Sequence, residues 1–67
     1  MTANEVQIHL QGLHLERALA GVEGLTSDAT YMADLEQEIT ATRHAYIGAA
    51  VTEIAILRAE LSGPQVG

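Results

Sequence analysis

From residue 32 to residue 61, apolar side chains return every three or four positions: Met32, Leu35, Ile39, Tyr46, Ala50, Ile54, Leu57 and Leu61, with Thr42 in the same row. That rhythm puts them on one face of a helix. No proline interrupts residues 28–62, so the pattern predicts one continuous helix, about 50 Å long at about 1.5 Å per residue. From residue 45 onward the apolar row widens to take in Ile47, Val51, Ala55 and Ile56, and Gly48, Ala49 and Ala50 are small enough to admit a close neighbour. The second half of this helix therefore has more apolar surface than one neighbour can cover.

A first helix is predicted over residues 3–23. Thr2 and Glu5 stand at capping-box spacing, where hydroxyl and carboxylate satisfy each other's free backbone donors. Ile8, Leu15, Leu19 and Val22, with Gly12 completing the spacing, form one apolar face, expected to pack on the long helix. Val6, Leu10 and Leu13 form another side. If that side stays open it is the candidate surface for a protein partner, by the helix-in-groove mode. Val6, Ile8 and Leu10 also alternate with Gln7, His9 and Gln11 before Gly12, the period-two pattern of a short strand. A strand, helix, helix order resembles the ribbon-helix-helix DNA binders. The resemblance covers only the order of elements, because this chain lacks a basic ribbon and its last helix is far longer.

Gly24 is placed to end the first helix in a left-handed cap, with Leu25 folding back. Thr26, Ser27 and Asp28 open the second, Ser27 as N-cap and Asp28 adding negative charge at the positive end of the helix dipole. Gly63 and Pro64 stop it, and residues 63–67 are expected to be a frayed tail. The short link makes an antiparallel hairpin the default within a single domain over residues 1–67.

The two helices differ in length, and this difference determines the expected assembly. A first helix of about 21 residues shields the long one only to about Ala49, leaving Val51, Ile54, Ile56, Leu57 and Leu61 bare. Leaving large aliphatic side chains exposed forfeits about 1.5 to 3 kcal/mol each, comparable in sum to the stability of so small a domain. The expected fold class is therefore all-α, an antiparallel hairpin with a longer second helix that assembles into a homo-oligomeric four-helix bundle. Tyr46, Ile47, Ala50, Val51, Ile54, Leu57 and Leu61 are its predicted interface.

Composition narrows the function. Nine acidic residues face three arginines and no lysine, for a net charge of −6. That balance disfavours phosphate backbones and anionic lipid, which are bound chiefly through clustered Lys and Arg. The lack of cysteine excludes disulfides and thiolate metal sites. No basic and apolar leader opens the chain, and its most apolar window, residues 45–57, contains Glu53 and is shorter than the roughly 20 residues a membrane span needs. A soluble, cytoplasmic protein is the expectation.

Chemistry-bearing residues add little. His9 and His14 are five apart, about 140° around a helix, and no Glu-x-x-His spacing of the kind used by metal-binding bundles occurs. Ser27 and Ser62 lie at predicted helix ends, where capping accounts for them. Neither metal, cofactor nor catalysis is expected. None of Arg17, Arg43 and Arg58 has an acidic residue three or four positions away, so each is free to pair across helices. Arg43, facing Glu16 or Glu23, is the first candidate. Asp34, Glu36 and Glu38 read as a solvated helix face. Two functions remain: an adaptor, assembly factor or regulator that works through a homodimer, and a structural block or accessory subunit of a larger assembly.

Overall fold

The computed structural model describes residues 1–63 as two antiparallel helices. Helix α1 spans Ala3–Val22, a short 3-10 turn spans Leu25–Ser27, and helix α2 spans Ala29–Leu61. The molecule measures 64 × 16 × 13 Å. No strand is present among the described residues, so the alternating segment at Val6 to Leu10 is helical. The expectation for residues 64–67 lies outside the described residues.

Local chemistry explains the start of α1. Thr2 Oγ1 accepts the Glu5 amide at 3.1 Å, and Glu5 Oε1 accepts the Thr2 amide at 2.9 Å. The complete capping box nucleates a helix and overrides the strand-like alternation. The bond from the Thr2 amide holds the Glu5 carboxyl below its ordinary value of 4.5. A third donor is satisfied from far along the chain: the Ala3 amide donates to Glu53 Oε2 at 3.2 Å. That carboxylate sits at the positive end of the α1 dipole, where negative charge is favoured.

At the turn Gly24 adopts φ +76 and is the one positive-φ residue described. Ser27 does not cap α2, contrary to the sequence reading. Its hydroxyl is drawn into the 3-10 turn and donates to the Gly24 carbonyl at 3.1 Å. Asp28 is the N-cap, its Oδ1 accepting the Tyr31 amide at 3.0 Å. α2 ends at Leu61 with Ser62 as C-cap, and Arg58 lies in the last turn, where a cation suits the dipole.

The core is one narrow seam. Val6, Leu13 and Ala20 of α1 and Leu35, Ile39 and Thr42 of α2 are buried, and Leu10, Tyr31 and Met32 pack around the cluster of Leu13, Leu35 and Ile39. The two sides of α1 are thus exchanged relative to the sequence reading. Ile8, Leu15, Leu19 and Val22 point away from the seam and are at least half exposed.

Two glycines should respond oppositely to alanine. Gly24→Ala forces a left-handed Cβ and should cost about 1 to 2 kcal/mol. A Cβ at Gly48 would meet nothing within 4 Å, so Gly48→Ala should gain about 0.5 to 1 kcal/mol from helix propensity. Thermal unfolding followed by circular dichroism reads both, and no gain at Gly48 would mean that a second chain lies against it.

Candidate interaction surfaces

Polar residues frame the seam and fix which faces are left outside. Arg17 Nε meets Glu36 Oε1 at 3.3 Å on one flank. On the other flank His9 Nε2 meets Glu38 Oε1 at 3.3 Å, and the Tyr31 hydroxyl donates to Glu16 Oε2 at 2.7 Å. Arg17, and not Arg43, therefore makes the arginine pair across the hairpin, because Tyr31 engages Glu16 and Arg43 has no ion-pair partner among the described residues. Glu36 and Glu38, read from sequence as a solvated face, are exposed and also border the seam. Both contacts are about half exposed, so each stabilises by under about 1 kcal/mol.

The C-terminal half of α2 forms the first apolar surface. Tyr46 and Ala50 are half-buried at the end of the cover given by α1. Beyond them Ile47, Val51, Ile54, Ile56, Leu57 and Leu61 are all more than half exposed. Both signs of charge occur here: Arg58 lies four residues after Ile54 and three before Leu61, and Glu53 and Glu60 neighbour Leu57 at the same spacings.

The outer side of α1 forms the second. Ile8, Leu15, Leu19 and Val22 make a continuous exposed row on the side remote from α2, and Val22 is its barest member at 84%. It replaces Val6, Leu10 and Leu13 as an available surface. Val6 and Leu13 are buried and Leu10 is half-buried against the core, so those three hold the hairpin together. Sequence reasoning missed this exchange because both rows satisfy helical spacing. The flanking residues carry the distinguishing signal: His9, Glu16 and Arg17, the groups with partners on α2, border the Val6–Leu13 side.

Chemistry beyond packing is sparse among the described residues. No group of three His, Asp or Glu side chains is placed to hold a metal ion, and no helix is long and apolar enough to cross a membrane. A shallow open groove of about 410 Å³ lies along α2, lined by Glu36, Gln37, Thr40, Ala41 and His44. Glu36 is already engaged by Arg17. No family model, curated protein or solved structure matches the chain.

The Tyr31–Glu16 bond gives a pH signature. Donation to the carboxylate raises the Tyr31 phenol above its ordinary 10.0. A group raised on folding contributes stability that is fully present below the unfolded value and lost as pH rises through the folded one, so this contribution should disappear above about pH 10. In a Tyr46→Phe background, leaving one phenol, Glu16→Gln should move the absorbance titration of Tyr31 to lower pH; an unmoved titration would mean the bond is not made in solution.

Proposed function

We propose that this chain is a helical protein–protein interaction module, acting as an adaptor, assembly factor or regulator through a homodimer. The contact is the C-terminal half of α2, formed by Tyr46, Ile47, Ala50, Val51, Ile54, Leu57 and Leu61. One observation carries the reading: Ile47, Val51, Ile54, Leu57 and Leu61 are 53%, 60%, 54%, 54% and 72% exposed on one helix, against five buried aliphatic side chains in the core among the described residues. Exposed aliphatic surface on that scale, in a domain this small, marks an interface. The mixed charges suit a second copy. In a parallel two-fold pairing, where opposite edges of the face meet, Glu53 of each chain comes near Arg58 of the other, so the surface complements itself. In this reading the protein acts in the cytoplasm, without catalysis, cofactor, nucleic acid or membrane.

The apolar row on the outer side of α1 favours a second reading, a building block or accessory subunit of a larger assembly. Two apolar surfaces on different sides of one chain permit heterologous, extending contacts.

Light scattering coupled to size exclusion, across micromolar concentrations, tests both. A discrete dimer that the Ile54→Asp, Leu57→Asp double variant converts to monomer supports the module. A mass that grows with concentration supports the building block. A stable monomer removes the homodimer.

A further inference from the structure

We propose that the outer face of α1, centred on Leu15, docks a basic amphipathic helix of a different protein. This rests on reading the chain as an interaction module, and not on the homodimer. The face runs along α1 from Ile8 to its C-terminal end, with Ile8, Leu15, Leu19 and Val22 exposed and Gly12 offering open space where a Cβ would meet nothing. At about 21 Å it matches a helix of roughly 15 residues.

Charge selects the occupant. Glu5 lies three residues before Ile8, Glu16 three before Leu19, and Glu23 four after Leu19, so one edge of the face is acidic. All three are exposed. Glu5 and Glu16 each use one carboxylate oxygen within the hairpin, which leaves the second oxygen of each open to a partner. The opposite edge carries Gln7 and His14. The single arginine of α1, Arg17, is turned to the seam and held by Glu36, so no cation within α1 offsets the acidic edge.

A second copy fits this face poorly. In an antiparallel pairing like edges meet, which sets Glu5, Glu16 and Glu23 against their own copies, and like-charge juxtaposition opposes association. A helix with leucine-type side chains on one face and Lys or Arg beside them satisfies both the apolar row and the acidic edge. The α2 surface differs, because it carries both signs.

The test uses the full chain and two fluorescein-labelled 21-residue amphipathic peptides. Both carry leucine at three-and-four spacing; one has lysine at the flanking positions and the other glutamate. Anisotropy at near-physiological salt should show the lysine peptide binding at least about tenfold more tightly than the glutamate peptide. Leu15→Asp should weaken the lysine peptide at least about tenfold, although it adds a negative charge. Thr52→Asp, adding the same charge at an exposed position on α2, should leave the affinity within about twofold.

Val22→Asp repeats the test at the most exposed position of the face, and circular dichroism confirms helix content in each variant. Equal binding of the two peptides overturns the proposal, as does unchanged or tighter binding by Leu15→Asp. So does light scattering in which Leu15→Asp alone turns a dimer into a monomer, since a second copy would then occupy the face. Loss of the dimer in the Ile54→Asp, Leu57→Asp protein with peptide binding retained separates the two surfaces.

Discussion

Two helices on their own can cover each other along one strip apiece, and this geometric limit governs the whole chain. α1 and α2 spend their mutual contact on Val6, Leu13, Ala20, Leu35, Ile39 and Thr42, with Leu10, Tyr31 and Met32 at its margin. Apolar residues off that strip must face water, a second copy or another protein. Covering the outer side of α1 as well would take a third long helix, and the described residues hold two. The core is accordingly small. Ile39, 1% exposed, is its most enclosed large side chain, and truncating such a residue typically costs about 2–5 kcal/mol, on the scale of what a core of this size supplies.

Electrostatics add selection more than stability. The Arg17–Glu36 and His9–Glu38 pairs and the Tyr31–Glu16 hydrogen bond lie at the borders of the seam, where water screens them. They reward one rotation of α1 about its axis over another. An α1 turned to place Ile8, Leu15, Leu19 and Val22 inward would carry Arg17 away from Glu36 and Glu16 away from Tyr31. The polar border therefore sets which of two comparable apolar sides becomes core and which becomes surface.

That same competition explains what was legible in the sequence. The hairpin, the long second helix, the capping box at Thr2 and Glu5 and the left-handed turn at Gly24 follow from local rules, each decided within a few residues. The facing of α1 does not. Val6, Leu13 and Ala20 recur every seven positions, and so do Ile8, Leu15 and Val22, so the choice between the rows rests on partners about 20 residues away. The N-cap was ambiguous for a different reason: Thr26, Ser27 and Asp28 all have capping side chains, and only the 3-10 turn that engages Ser27 leaves Asp28 at the boundary. The bare end of α2 was readable from helix lengths alone, and the structure leaves it exposed.

The bond between the Ala3 amide and Glu53 spans 50 positions of sequence and joins the open end of the hairpin. With the Gly24 turn closing the other end, the helices are pinned at both extremities, like a rule fastened at each end of its scale. Sliding α2 by one helical turn, about 5.4 Å, would carry Glu53 out of reach of that amide. The free length of α2 is thus a calibrated quantity, and any chain that binds there meets an apolar ledge of fixed extent.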